Sequence, residues 1–176
     1  MEKENIRLRP ITLNDTDNIV KWRNTDSVKR NLFTREDITH EDHIKWFNNY
    51  VMKGLCSQFI IELIEPSMDI GTVFIKNIDK KNDKGEFGIF IGEENLRGKG
   101  YGKIATELIL EHAFMDLKLN RVYLSVLADN LSGVKCYTKA GFELEGVLRQ
   151  DFKYGNNYYD VILMSVLRYK WMEMKP

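Results

Sequence analysis

The sequence predicts a single α/β domain, and three observations predict it. Short β-rich runs alternate with segments of helical period along the chain. The 176 residues include 43% apolar and 30% charged side chains, enough for one full core. No internal repeat, low-complexity tract or long linker divides them. At this length folding buries roughly 68–70% of the extended chain's surface, so no disulfide or metal staple is required.

Ile6, Leu8 and Pro10 alternate with Arg7 and Arg9, the period of a half-buried first strand. Thr12, with Asp15 three residues on, caps a helix whose apolar face is Ile19, Val20 and Trp22 and which breaks near Asn24. Thr39 with Asp42 opens a second helix through Ile44, Trp46, Phe47 and Val51, ended by Gly54. Beyond Gln58 the period changes, and Phe59–Ile61, Gly71–Ile75 and Glu86–Gly92 read as three consecutive antiparallel strands joined by turns at 65–69 and 80–85. Gly88 and Gly92 in the third run point to a bulge or to close backbone approach.

A helix follows from Tyr101, with Ala105, Ile109, Ala113 and Leu117 at four-residue steps. Arg121–Ala128 is a strand, Asn130 caps a short helix that ends at Gly141, and strands close the chain near Phe142–Leu148 and Tyr158–Leu167.

Twenty-six basic residues balance twenty-six acidic ones, which removes the net attraction used in binding nucleic acid or an anionic membrane. The longest apolar run, Val161–Met164, is far short of the roughly 20 residues of a spanning helix. The N-terminal segment has charge but no apolar stretch of a secretory leader, so a cytoplasmic protein is expected. Cys56 and Cys136 lack CxxC spacing and His40, His43 and His112 lack HExxH, so no metal site is expected.

The segment Arg97-Gly98-Lys99-Gly100-Tyr101-Gly102-Lys103 stands between a strand and a helix. Glycines there admit a ligand close to the backbone, free amides at the helix start face a bound anion, and three cations add charge, which together make a phosphate cradle. A Walker A loop does not fit, because Gly92 to Gly98 is one residue too long and Gly100 follows Lys99 where Ser or Thr is needed. Gly100-x-Gly102-x-x-Ala105 fits a loose dinucleotide fingerprint, but residues 93–99 separate it from the strand it should follow.

Arg97-x-x-Gly100-x-Gly102 resembles the acyl-CoA signature of the GNAT N-acetyltransferase superfamily, and Asn130-Leu131-Ser132-Gly133-Val134-Lys135-Cys136-Tyr137 through Gly141-Phe142 resembles its second characteristic segment. The resemblance implies a mixed, largely antiparallel sheet of about seven strands flanked by helices, with the strands at 86–92 and 121–128 splayed apart. It implies acetyl-CoA as cosubstrate, with no metal. By the resemblance, the backbone of Phe90, Ile91 and Gly92 would meet pantetheine, and Arg97 through Lys103 would hold the pyrophosphate. Asn130 would bond the pantetheine amides, and Lys135 or Lys139 would reach the phosphates of the adenosine end.

The implied reaction is direct attack of a neutral amine on the thioester, with Tyr137 as acid for the departing thiolate and Glu86 as base. Cys136 has no nearby histidine in sequence to activate it and reads as structural.

The opening Arg7-Leu8-Arg9-Pro10, Trp22-Arg23-Asn24 and Gly146-Val147-Leu148-Arg149 resemble the branch holding ribosomal-protein N-terminal and spermidine acetyltransferases. Trp22-Arg23-Asn24 with Phe87–Gly92 more closely resembles the nucleotide-amino-sugar acetyltransferases of pseudaminic acid synthesis, which implies a UDP-linked 4-amino-4,6-dideoxy sugar as acceptor. An acceptor pocket is expected between the early helices and the loop 150–159, lined by Trp22, Arg23, Asn24, Phe33, Trp46, Tyr154 and Tyr158. A core role is the competing expectation for Trp22 and Trp46. Glu36, Asp37, Glu41 and Asp42 keep a polyamine acceptor open, and a non-catalytic CoA-binding module is a further alternative. The expected partner is a small-molecule amine, not nucleic acid or membrane, and a homodimer is left open.

Overall fold

The computed structural model describes residues 5–175; the first four residues, part of the segment read above for a leader, lie outside the described residues. The elements in chain order are β1 (Ile6–Pro10), α1 (Thr16–Arg23), α2 (Asp26–Lys29), α3 (His40–Trp46), β2 (Cys56–Leu63), β3 (Met68–Asp79), β4 (Lys84–Ile91) and α4 (Tyr101–Glu111). They continue with β5 (Arg121–Leu127), α5 (Leu131–Lys139), β6 (Glu143–Tyr154), β7 (Asn157–Leu167) and α6 (Arg168–Glu173). The strands form one seven-stranded sheet in the order β1-β2-β3-β4-β5-β7-β6. Every neighbouring pair is antiparallel except β4 with β5, which is parallel.

Both faces of this sheet are covered. On β2, Ile60 and Ile61 are each wholly buried but face opposite sides, as strand alternation requires. Ile61 belongs to a core with Val73, Ile75 and Phe87, against which α4 lays Ile104, Ala105 and Ile109. Ile60 belongs to a smaller core with Ile11, Ile19, Trp22 and Phe47, supplied by the early helices. The apolar stripe of α4 is thus the helical counterpart of the four-residue steps seen in the sequence.

The expected first helix is preceded by a short 3-10 turn, Leu13–Asp15. Thr12 donates to Asp15 Oδ2 through its amide at 2.7 Å and its hydroxyl at 3.0 Å. The Arg9 guanidinium grips the same carboxylate at 2.8 and 3.1 Å. Burial would raise the Asp15 pKa, but these donors outweigh it and hold the carboxyl below its ordinary value. Arg9 also reaches Asp69, while Arg7 makes a two-point contact with Glu62, so the alternating arginines of β1 tie it to β2 and β3.

Four features depart from the sequence expectations. The single turn α2 and the terminal helix α6 were not foreseen, and β6 runs on to Tyr154, so that most of the expected 150–159 loop is a β-hairpin tip. A bulge, one of the two readings of the β4 glycines, lies instead in β3 between Lys76 and Asp79, where Asn77 has φ of 50°. Gly88 and Gly92 do mark close approach, but by protein rings: a Cβ on Gly88 would lie 2.3 Å from the Phe74 ring, and one on Gly92 would lie 2.1 Å from Trp22.

Gly92 and the 2%-exposed Trp22 therefore form one packing unit, which joins the early helices to the end of β4. Gly92→Ala is expected to lower stability by about 1–3 kcal/mol, the usual range for overpacking a filled core. Urea denaturation checks this, and an unchanged midpoint would mean that the indole is free to move aside.

Candidate active site

The centre of the sheet is open. β4 and β5 pair only at Lys84↔Arg121, Gly85↔Val122 and Glu86↔Tyr123, and then part. β4 stays paired with β3 as far as Ile91, and β5 stays paired with β7 from Arg121 to Leu127, so each wall of the opening is held from outside. Gly92 N–H bonds Ile70 C=O at 2.8 Å, which fixes the alternation along β4. Residues 92, 90 and 88 turn their backbone groups to β3, while Ile89 and Ile91 turn theirs into the opening. The expectation that Phe90 and Gly92 offer backbone to pantetheine is corrected by this register, and of the three residues only Ile91 faces the gap.

Ile91 C=O is already in use, since it accepts from Arg97 Nε at 2.9 Å. That bond folds the Arg97 side chain back over the end of β4 and leaves its Nη2 buried with no partner. Burial, reinforced by the neighbouring Arg30 cation and opposed by Glu94, lowers the Arg97 pKa. After Arg97, Gly98 and Gly100 have φ of 73° and 86°, and the second caps α4 in the left-handed region that glycine tolerates best.

The amides of Lys99, Gly100, Tyr101 and Gly102 have no backbone acceptor among the described residues, and space is open at Gly98. Unpaired amides at a helix start, an orphaned guanidinium N–H and open space above a glycine fit the phosphates of CoA. Lys99 is exposed, whereas Lys103 is paired with Glu107 at 2.9 Å.

Asn130 follows β5 on the other wall. Its Oδ1 accepts from Gly133 N–H at 3.0 Å and Ser132 Oγ at 3.1 Å, so it caps α5 and leaves only Nδ2 for a ligand. Lys135 and Lys139 are exposed on α5. Tyr137, about two turns on from Asn130, is half-buried, its ring 5.4 Å from Phe87 and edge-on. Burial pushes its phenol well above the ordinary value, so the group stays protonated. No described residue hydrogen-bonds that hydroxyl.

Glu86 stands at the last paired position of the opening, on the face of β4 opposite Phe87. Its carboxylate accepts from Asn77 Nδ2 at 2.8 Å and lies 3.2 Å from Lys76 Nζ. Tyr123, its register partner on β5, has a pKa raised by burial and then by the Glu86 charge.

The residues expected to line an acceptor pocket are redistributed. Trp22 is core, with its Nε1 donating to Glu93 Oε1 at 2.8 Å, so it has no free face for a ligand. Asn24 brackets the backbone of Ile38, donating to its C=O at 2.9 Å and accepting from its N–H at 2.8 Å. Arg23 donates to Thr34 C=O, and its half-buried guanidinium keeps Nη1 unpartnered. Burial lowers the Arg23 pKa against the pull of Glu36 and Asp37. Through Arg23 and Asn24, Trp22-Arg23-Asn24 is a clamp on the segment between α2 and α3, with Trp22 in the core, and the correction is that these side chains hold the wall rather than face the ligand.

Phe33, on that segment, packs edge-on against Phe152 of β6 at 5.3 Å. Arg35, which the sequence gave no reason to single out, lies over the rings of Phe152, Tyr154 and Tyr159 at 5.2, 4.5 and 5.3 Å. Tyr158 is exposed on the hairpin beside Lys153. Trp46 packs against the smaller core. No group of three or more His, Cys, Asp or Glu that could hold a metal occurs among the described residues.

If the cradle is as described, Gly100→Glu is expected to abolish measurable acetyl-CoA binding by calorimetry. Gly100→Ala carries the same left-handed backbone penalty, about 1–2 kcal/mol, without the charge. Equal affinities for the two variants would place the phosphates elsewhere.

Comparison with known proteins agrees with this geometry. The chain is 29% identical over 168 residues to the uncharacterized N-acetyltransferase p20 of Bacillus licheniformis, covering 94% of each chain. It is 26% identical over 167 residues to spermidine N(1)-acetyltransferase of Vibrio cholerae, covering 95% of each. The crystal structure of spermidine N-acetyltransferase from Vibrio cholerae in complex with CoA and spermine superposes with a TM-score of 0.90 at 25% identity, over 96% of this chain and 99% of that one. The sequence also matches the acetyltransferase (GNAT) domain over residues 5–143, and the chain, with its parted central strands and glycine cradle, belongs to that family of acetyl-CoA-dependent N-acetyltransferases.

Proposed function

We propose that this enzyme acetylates a primary amine of a polyamine of the spermidine class. The observation that carries the reading is the near-complete superposition on an acetyltransferase holding CoA and spermine together. The site supports it from the other direction. Two of the rings that a nucleotide sugar would stack on are engaged, Trp22 against Gly92 and Tyr154 under Arg35. The sugar acceptor expected from Trp22-Arg23-Asn24 loses its footing, because Trp22 is core and Arg23 and Asn24 bond the backbone of Thr34 and Ile38.

The acidic segment contributes less than its composition suggests. Asp42 is spent on the Thr39 cap, Glu41 pairs with Lys45 at 2.8 Å, and Asp37 pairs with Lys29 at 2.7 Å. Glu36, exposed and bonded to the Arg35 amide, is the carboxylate of this group proposed to meet an ammonium group.

Acetyl-CoA supplies the activated acyl group. The amides of 99–102 and Arg97 hold its phosphates, and the inward backbone groups of Ile89 and Ile91 align the arm. Glu86, on the acceptor face of β4, takes the proton from the amine. Tyr137, kept protonated by burial, donates to the departing sulfur.

Tyr137→Phe is expected to lower kcat by about 10²–10⁴-fold while sparing acetyl-CoA affinity, since the hydroxyl acts only as charge develops. Wild-type turnover would reduce the residue to packing. For the acceptor, kcat/KM should be compared for spermidine, a UDP-amino sugar and a peptide with a free N-terminus. Spermidine is expected to lead by at least about tenfold, or 1.4 kcal/mol, and a sugar preferred by that margin would restore the nucleotide-sugar reading.

A further inference from the structure

Arg30 belongs to no motif, and it lies in the segment between α2 and α3 that the Trp22-Arg23-Asn24 clamp holds. Its side chain lines a cleft of about 360 Å³ together with Ser27, Asn31, Arg97, Asn130 and Ser132. The cleft joins three parts of the molecule. Ser27 comes from α2 and Arg30 and Asn31 from just after it, Arg97 from the loop between β4 and α4, and Asn130 and Ser132 from the start of α5 beyond β5. It therefore lies at the mouth of the opening between β4 and β5.

Its charge is unbalanced. Two guanidiniums face it against one carboxylate, Asp129. Arg97 Nε is fixed by Ile91 C=O and its Nη2 is buried without an acceptor, so the guanidinium is preset for an oxygen anion that the protein does not supply. Burial presses the Arg97 pKa down, Glu94 opposes it, and the Arg30 charge adds a smaller lowering that reports the two cations as near one another.

The main chain of the same residue serves the other side. Arg30 C=O accepts from Arg35 Nη2 at 2.8 Å, and Arg35 lies on the rings of Phe152, Tyr154 and Tyr159 in the β6–β7 hairpin. One residue thus touches the donor cleft with its side chain and the acceptor wall with its backbone.

We propose that Arg30 is a second arginine for the diphosphate of the acyl-CoA donor, facing Arg97, and that filling the cleft fixes the segment 30–38 against the hairpin. The donor would then bind before the acceptor wall is set. This rests on acetyl-CoA as donor and not on the identity of the amine.

Equilibrium titration of CoA, 3′-dephospho-CoA and pantetheine tests it. Arg30→Ala is expected to weaken CoA and 3′-dephospho-CoA each about tenfold, a usual loss for a charge-assisted contact, and pantetheine by less than twofold. Arg30→Lys should recover part of the loss, and Arg30→Gln should behave as the alanine variant if that variant folds poorly. A similar loss for all three ligands would make Arg30 a packing residue. No loss with CoA, or a loss confined to CoA with its 3′-phosphate, would overturn the diphosphate assignment. Amide exchange reads the coupling: CoA should slow exchange across 30–38 in the wild type and not in Arg30→Ala, and an equal effect in both would remove the link to the acceptor wall.

Discussion

The site depends on β4 and β5 parting after three paired positions. An unpaired backbone edge in the middle of a sheet is costly unless water or a ligand completes it, and here both edges are locked open from outside. β4 is paired along its length to β3, and its end is pinned by Trp22 against Gly92. β5 is paired along its length to β7. Neither strand can close the gap without breaking its outer ladder, so the inward groups of Ile89 and the Ile91 N–H are left for an extended, amide-bearing partner. In the binding mode proposed the arm of CoA is that partner, and its phosphates would fall where β4 hands over to the glycine cradle of α4.

Placement follows from this topology. The segment after β4 and the segment after β5 both begin at the mouth of the same opening, which brings Arg97 and Asn130 to one cleft although 32 residues of sequence, with a full helix among them, lie between. The single hydrogen bond from Arg97 Nε to Ile91 C=O has two effects. It uses a strand carbonyl that the gap would otherwise leave bare, and it presents the rest of the guanidinium to the cleft.

Much of this was legible in the sequence because the signals were local. β1 was read at Ile6–Pro10, its observed bounds, since Arg7 and Arg9 alternate with buried or packed neighbours. The Thr39–Asp42 cap, the start of α4 at Tyr101 and the Asn130 cap each rest on chemistry within a few residues. What was missed lacks such a signal. α2 is a single turn, β6 beyond Leu148 is exposed except at Phe152 and so has little apolar alternation, and the six residues of α6 follow β7 with no Gly or Pro between to mark a new element. The site residues misread from the sequence were misread for a tertiary reason. Trp22-Arg23-Asn24 has the composition of a binding surface, and only the structure shows Trp22 packed on Gly92 and bonded to Glu93 while Arg23 and Asn24 hold the backbone of Thr34 and Ile38. Arg35 needed the hairpin rings, which lie more than a hundred residues away in sequence.

The same strand also bears on how two proton transfers are kept apart. Glu86 and Phe87 are consecutive on β4 and therefore face opposite sides of the sheet. Phe87 meets Tyr137 and the packing of α4 and α5, the donor side, while Glu86 shares its face with Gly92 and hence with Trp22 and the early helices, the acceptor side. In the mechanism proposed, the amine loses its proton on one face and the sulfur gains one on the other, and the acyl group changes hands through the opening between β4 and β5. A closed sheet would separate the two groups completely, and a wider opening would let water reach the thioester. Three pairs at the apex, with parted strands beyond, meet both conditions.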